Sequence, residues 1–319
     1  MTELTTVSQP YSDDEIDLRH LVRVLWGGKW LIGAITFVVA VIAIIVALLL
    51  QDIYRADALL APNDEEGAGA LSALAAQYGG LASLAGIDIG GDSSDKTATG
   101  LEVLKSRKFI ADFIDRHDIL IPLIAVDKWD SETGELLIDP DIYDESSKKW
   151  VREVSHPKKT IPSSQEAYEV FMDALTVSQD NKTGFIRLAV EHYSPLIAKQ
   201  WLDWLIEDIN SMIMREDVTE AQQTIDYLNQ QISNTSLTEL RQIFFNLIEE
   251  QTKTIILAAV TDEYLLKTLD PPVIPEEKAR PIRSLIVIVA TLFGGFLGVI
   301  IVLIRSSFST KWRAAEVTD

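Results

Sequence analysis

The chain has 319 residues, of which 28 are basic and 48 acidic, giving a formal net charge of −20. This acidity argues against electrostatic binding to nucleic acid or to anionic lipid headgroups, because both partners are negatively charged themselves. The sequence contains no cysteine, which excludes disulfides, thiol nucleophiles and thiolate metal sites.

Two uncharged apolar runs of 20 residues, 31–50 and 285–304, lie near opposite ends of the sequence. Each run is long enough to cross a hydrocarbon core of about 30 Å as a helix that rises about 1.5 Å per residue. We expect both to span a membrane. The first run could instead be a cleavable signal, but it is long for one and follows an acidic segment. The second could instead be a buried core helix, although its glycines suit helix contact in lipid better.

Two spans place both tails, 1–30 and 305–319, on one side of the membrane and residues 51–284 on the other. Each tail contains three Lys or Arg residues, and three more flank the second run on the opposite side. The positive-inside rule therefore gives a small preference for cytoplasmic tails.

The first part of the central region mixes strand and helix patterns. Residues 53–62 predict a strand closed by a proline. Residues 67–86 are rich in Gly and Ala and predict either a pair of short helices that pack between subunits or line a cavity, or a mobile loop. The apolar spacing of 101–117 predicts a helix, and 119–126 predicts a strand kinked at Pro122.

The next part completes an α+β base. Ser163 and Glu166 have the spacing of a capping box, which predicts a helix that begins there. The segments 176–179 and 185–190 alternate around a turn with a glycine and predict a β-hairpin.

The longest periodic stretch begins at Ser194, a candidate N-cap, and Pro195, and runs to about residue 232. Its 38 residues would make a helix of about 57 Å. Apolar residues recur there and again after a polar turn at alternating steps of three and four, as in a coiled coil. The first set is Val218, Ala221, Ile225, Leu228 and Ile232, and the second is Leu237, Leu240, Phe244 and Leu247. Each set would form one apolar contact line, or seam, of a coiled coil. Two seams joined by a polar turn favour an antiparallel helical hairpin over one continuous helix bent at Asn234.

The sequence gives no support for catalysis, a metal or a cofactor. The four histidines lie far apart without metal-ligand spacing, and we expect them at the surface. Acidic residues around Gly134 do not have the spacing of a calcium loop and predict a solvated loop. Nucleophile-elbow and phosphate-loop motifs are missing from the sequence.

Several segments are similar to those of one known family. They are 14–18 and 25–30 before the first run, 128–130, 150–151, 200–202, Asn210, 227–229 and 250–251. The closest similarity is a proline-rich approach to the second run, followed by Gly294 and Gly298 in G-x-x-x-G spacing. Together they resemble the chain-length determinants of bacterial surface polysaccharides, the Wzz-type co-polymerases.

Prolines would hold the entering chain extended and stiff, and glycines would let helix backbones approach closely. By the resemblance, the candidate residues for assembly or partner contact are Pro271, Pro275, Pro281, Gly294 and Gly298. Substituting leucine at both glycines should then alter the polysaccharide length distribution.

The resemblance implies an α+β fold with a membrane-proximal α/β base (51–193 and 259–284) and a long helical protrusion (194–258). Two transmembrane helices flank it, at 31–50 and 285–304. The implied location is the bacterial inner membrane, with both termini cytoplasmic and the central domain periplasmic.

The implied function is control of the modal chain length of a lipid-linked polysaccharide of O-antigen type, without a reaction of its own. The implied partners are identical subunits in a ring, a membrane polymerase, the growing glycan and membrane lipid. An alternative is a two-span adaptor in capsule or exopolysaccharide export. A two-span sensor and a kinase-bearing relative are disfavoured, because we expect no further domain after residue 319.

Overall fold

The structure is a computed structural model that describes residues 18–63, 92–234 and 237–315. The predicted short helices of 67–86 lie outside these residues. The described chain forms two compact units. The membrane unit contains the residues up to Gln51 and from Pro281 onward, and the central unit runs from Asp52 to Arg280.

In the described residues, the membrane unit contains three helices, α1 (Leu18–Gly27), α2 (Lys29–Leu49) and one that comprises Arg283–Ala315. The segments Lys29–Leu49 and Arg283–Ser306 are long and apolar enough to cross a membrane. Both apolar runs are therefore helical, as predicted.

The central unit is built on a five-stranded sheet. Its strands are β1 (Ile53–Pro62), β6 (Leu175–Gln179), β7 (Ile186–His192), β8 (Leu266–Asp270) and β9 (Lys278–Arg280). The order is β6-β7-β1-β8, and β9 also pairs with β1, all in antiparallel register. Strand β1 is thus the common partner of three others.

Helices and two small hairpins complete the base. The helices are α3 (Asp92–Leu104), α4 (Arg107–Arg116), α5 (Leu120–Ile124) and α6 (Ser164–Ala174). The hairpin strands are β2 (Val126–Trp129) with β3 (Leu136–Ile138), and β4 (Tyr143–Asp144) with β5 (Lys149–Trp150).

Two predicted elements were wrong. The helix predicted over 101–117 is two helices, because Ser106 caps α4 by accepting a hydrogen bond from the Phe109 amide at 3.2 Å. The strand predicted over 119–126 is helix α5 followed by the start of β2. Pro122 is tolerated in the first turn of α5, where amide groups have no helical partner.

Other local predictions were confirmed. The Ser163 hydroxyl accepts from the Glu166 amide at 3.3 Å, and the Glu166 carboxylate accepts from the Ser163 amide at 3.2 Å. The predicted β-hairpin is β6–β7, whose turn ends at Gly184 with φ of 73°. The loop around Gly134 (φ 74°) is exposed, as expected for a solvated loop.

The two longest helices of the central unit are α7 (Pro195–Asn234) and α8 (Thr238–Val260); α9 is the helix Arg283–Ala315 named above. Helix α7 packs against α8. The segment that follows α8 contacts the middle of α7, where the Leu265 amide donates a hydrogen bond to the Asn210 side chain. The antiparallel hairpin is therefore confirmed, and the alternative of one continuous helix is wrong.

The core lies where α7 and the base helices cover the sheet. Its largest fully buried side chains include Phe113 of α4, Phe171 of α6 and Trp201 of α7, with Leu60 and Leu188 from the sheet. Since the first turns of α7 belong to this core, the projecting hairpin is anchored by hydrophobic burial.

His192 is buried, so the expectation of a surface position was wrong for this histidine. Its Nδ1 accepts a hydrogen bond from the Ser194 amide at 3.0 Å. Its Nε2 therefore carries the proton and donates to the Pro122 carbonyl at 2.9 Å. Burial lowers the pKa of His192 below the usual 6.5, because a charged imidazole would lose its hydration.

Acid should therefore destabilise the central unit through His192. Below about pH 6.5 the unfolded chain binds a proton that the folded chain excludes, so stability falls as pH falls, by at most about 1.4 kcal/mol per pH unit from this group. We expect His192→Asn, which keeps an acceptor near the Ser194 amide, to flatten this slope. Urea unfolding of the detergent-solubilised chain, followed by tryptophan fluorescence from about pH 5 to 7.5, measures it.

The matched control is His156→Asn, which removes an exposed histidine. This control should keep the wild-type slope. Equal slopes for the wild type and His192→Asn would contradict the assignment.

Candidate functional site

The two helices that are long and apolar enough to cross a membrane pack against each other in antiparallel order. Gly28 lies against Val302, Gly298 against Ile32, and Gly294 against Thr36 and Val39. Ala43 and Ala47 of α2 are also buried. Small residues therefore line the contact, as close packing of helices in lipid requires.

Both glycines predicted as assembly residues face the chain's own first span. A Cβ at Gly298 would lie 3.1 Å from the Ile32 Cα, and a Cβ at Gly294 would lie 2.9 Å from the Val39 Cβ. Gly295, between them, would place a Cβ 3.8 Å from the Thr36 hydroxyl oxygen, which is an ordinary van der Waals distance. The close approach thus depends on Gly294 and Gly298 and is made within one chain.

The outer surface of the helix pair is bulky and apolar. Leu292, Phe293 and Phe296 of α9 are 70%, 69% and 64% exposed, and Phe37 of α2 is 69% exposed. Lipid or another membrane protein can cover these side chains.

The predicted prolines lie in two different units. Pro271 and Pro275 belong to the connection between β8 and β9 in the central unit. Pro281 follows β9 directly and belongs to the membrane unit. The connection also exposes Val273 and Ile274, at 66% and 47%. The proline segment therefore presents apolar side chains as well as a stiff backbone.

A buried carboxylate holds β9 in the sheet. Glu191 of β7 is 9% exposed, and its Oε1 lies 3.0 Å from an Arg280 guanidinium nitrogen and 3.6 Å from one of Arg55. Strand β9 also pairs with the start of β1, with Ile53 opposite Arg280. The first and last strands of the central unit are thus neighbours. Sequence analysis missed this ion pair because its members are far apart in the chain.

The buried side-chain amide of Asn210 holds the segment that follows α8 against α7. The Asn210 side-chain oxygen accepts from the Leu265 and Leu266 amides at 2.7 and 2.8 Å. Its nitrogen donates to the carbonyls of Ile206 and Leu266 at 3.0 and 3.1 Å. All of the hydrogen-bonding groups of this buried side chain are used. Sequence analysis noted Asn210 only as part of a resemblance.

A second contact lies further along the hairpin. The Tyr264 hydroxyl donates to Asp217 at 2.8 Å, and Lys96 forms an ion pair with the same carboxylate at 2.6 Å. The Lys96 ammonium also lies 4.4 Å from the centroid of the Tyr264 ring. Helix α3, helix α7 and the segment after α8 are thereby joined.

The hairpin leaves a stripe of α8 uncovered. Leu240, Ile243 and Leu247 are 40%, 52% and 40% exposed, at spacing that places them on one face. In the predicted seams, Ala221 and Leu228 of α7 are buried, whereas Leu240 and Leu247 are not. Helix α8 therefore has more apolar surface than α7 alone covers.

In the part of the chain that the structure describes, no group of three or more His, Cys, Asp or Glu residues could hold a metal ion. The described residues provide three separate candidate contact features. One is the tight helix pair of the membrane unit, and the other two, the connection between β8 and β9 and the apolar stripe of α8, belong to the central unit.

The family model described as Wzz, chain length determinant protein, matches residues 14–117. The model described as GNVR, G-rich domain on putative tyrosine kinase, matches residues 220–307. The two segments together cover more than half of the chain. The chain therefore contains a Wzz chain length determinant region and a GNVR region, in agreement with the resemblance found in the sequence.

Two solved structures are similar to this chain. One is described as a full-length bacterial polysaccharide co-polymerase; it is 16% identical, covers 93% of this chain and 99% of that chain, and has a TM-score of 0.39. The other is a fragment of WzzB, a polysaccharide co-polymerase from Salmonella Typhimurium; it is 14% identical, covers 72% of this chain and 100% of that chain, and has a TM-score of 0.32. No curated protein matches this chain.

Substitution of Gly298 tests the helix contact. We expect Gly298→Leu to destabilise the helix pair by about 1–3 kcal/mol, because the added side chain meets the α2 backbone. Gly295→Leu is the matched control and should change the stability by less than about 0.5 kcal/mol. Unfolding of the purified chain in mixed detergent with increasing SDS measures both, and equal losses would contradict the packing.

Substitution of Asn210 tests the hairpin anchor. We expect Asn210→Leu to lower the free energy of unfolding by about 1–3 kcal/mol, because it leaves buried amide groups without acceptors. The control is Asn229→Leu, the same change at an exposed position of α7. Urea unfolding monitored by circular dichroism compares them, and a loss no larger than that of the control would refute the anchor.

Proposed function

We propose that this protein sets the modal chain length of a lipid-linked surface polysaccharide, beside a membrane polymerase and without a reaction of its own. The observation that carries the proposal is the chain length determinant match over residues 14–117. A regulator of this kind would act by binding and geometry, for which a projecting hairpin on a rigid base is suited.

We propose further that several identical subunits assemble into a ring. The uncovered stripe of Leu240, Ile243 and Leu247 supports this, because apolar side chains on one helix face are stabilised by a partner surface. The hairpins would then form a wall around a central space that the growing glycan contacts.

In this proposal Gly294 and Gly298 act indirectly, by holding α9 against α2. The exposed Phe293 and Phe296 beside them would contact the polymerase or a second subunit within the membrane. Pro271, Pro275 and Pro281 would keep the approach to α9 extended and so fix where that surface lies.

The proposed location is the bacterial inner membrane, with the central unit in the periplasm and both tails in the cytoplasm. The two membrane-spanning helices support a two-pass arrangement. An acidic central unit is also compatible with a neutral glycan as partner.

The type of glycan has two candidates. The Wzz match is compatible with a polysaccharide of O-antigen type. The GNVR match over residues 220–307 favours a capsule or exopolysaccharide type as the second candidate. Both candidates place the protein beside a polymerase.

Deletion of the gene in its native host, with and without restoration, tests the proposal. We expect a cluster of polysaccharide lengths that vanishes on deletion and returns with the wild-type gene. A gel ladder of lipopolysaccharide and size-exclusion chromatography of capsule or exopolysaccharide show which glycan is affected.

A matched pair of restored strains extends this test. At equal protein levels, Gly294→Leu with Gly298→Leu should shift or broaden the lengths, whereas Gly295→Leu should restore the wild-type cluster. Unchanged lengths with a reduced surface amount in the deletion strain would favour the export adaptor and reject length control.

A further inference from the structure

The described helices of the membrane unit have a charge opposite to that of the whole chain. Segments 18–51 and 281–315 contain seven Lys or Arg residues and no Asp or Glu. The remaining residues therefore carry a net charge of −27, and the seven acidic residues of the membrane unit belong to the sequence segments 1–17 and 316–319. The net charge of the whole chain therefore does not determine how these helices interact with lipid headgroups.

Six of these seven basic residues lie toward one end of the helix pair. Gly28 packs on Val302, so these two residues define one level along the antiparallel helices. Arg305 follows Val302 by three residues, or about 4.5 Å along the axis. Arg23 and Lys29 flank Gly28 in the sequence, and all three basic side chains are exposed. We call Arg23, Lys29 and Arg305 the basic end.

Exposed tryptophans lie at the same level. Trp26 and Trp30 are 71% and 84% exposed, and the Lys29 ammonium lies 5.7 Å from the centroid of the Trp26 ring. Tryptophan is enriched where hydrocarbon meets headgroups, because its ring is apolar and its N–H is polar. This identifies the level of the basic end as a membrane interface.

Helix α1 also combines basic and apolar side chains. It is a short amphipathic helix that contacts α9 and carries an exposed Val22 beside Arg23. An amphipathic helix with basic residues on its polar face lies in the plane of an interface and is attracted to anionic lipid.

We propose that the basic end binds the phosphate groups of anionic membrane lipids and so fixes the level of the helix pair in the bilayer. Exposed cations beside exposed tryptophans at one level of the helix pair favour a lipid surface over a soluble anion. This inference does not depend on the glycan or on the polymerase.

Lipid retention by the purified full chain tests it. In an uncharged detergent, native mass spectrometry should show more bound phosphatidylglycerol than phosphatidylcholine. Arg23→Gln, Lys29→Gln and Arg305→Gln together should weaken phosphatidylglycerol binding at least tenfold, since each basic residue near an anionic surface contributes about fivefold. Inorganic phosphate at the same concentration should not displace the lipid.

The matched control removes three exposed lysines of the central unit, by Lys108→Gln, Lys182→Gln and Lys253→Gln. It should retain wild-type binding. Arg23→Lys with Arg305→Lys keeps the charge and should also bind. Equal retention of both lipids by the wild type, or equal losses in the two triple variants, would overturn the proposal.

Discussion

Pairing along strand β1 is the interaction on which the rest of the central unit depends. Strand β7 pairs with one side of β1, and β8 and β9 pair with the other. The inward residues Ala56, Ala58 and Leu60 are at most 1% exposed, so the same strand also forms the floor of the core. Because both ends of the unit are strands of this sheet, the chain enters and leaves the domain through neighbouring strands.

This arrangement gives the hairpin a rigid attachment. Helix α7 follows β7 through the His192 turn, and α8 returns to β8 through the contacts of Asn210. Each helix is thus joined to a strand that is hydrogen-bonded to β1. A hairpin fixed at both of its ends can hold a surface at a defined distance from the base, as regulation of glycan length by geometry requires.

The sequence predicts what depends on neighbouring residues. Apolar runs, the Ser163 capping box and the α7–α8 hairpin follow from local patterns, and the structure has them all. The break at Ser106 was missed because the apolar spacing continues through it, and helix α5 was missed because a short apolar run suits both helix and strand. The burial of His192 and the direction in which Gly294 and Gly298 face depend on residues distant in sequence, which no local pattern reports.

The central claim is that this protein alters product length by its presence beside a polymerase. The most direct measurement reconstitutes a purified polysaccharide polymerase and its lipid-linked repeat units in vesicles, with and without this protein, and sizes the products. Our account predicts a broad length distribution without the protein and a modal one with it, at an unchanged rate of repeat-unit use. The same distribution in both vesicle preparations, with the protein inserted in the expected orientation, would contradict the account.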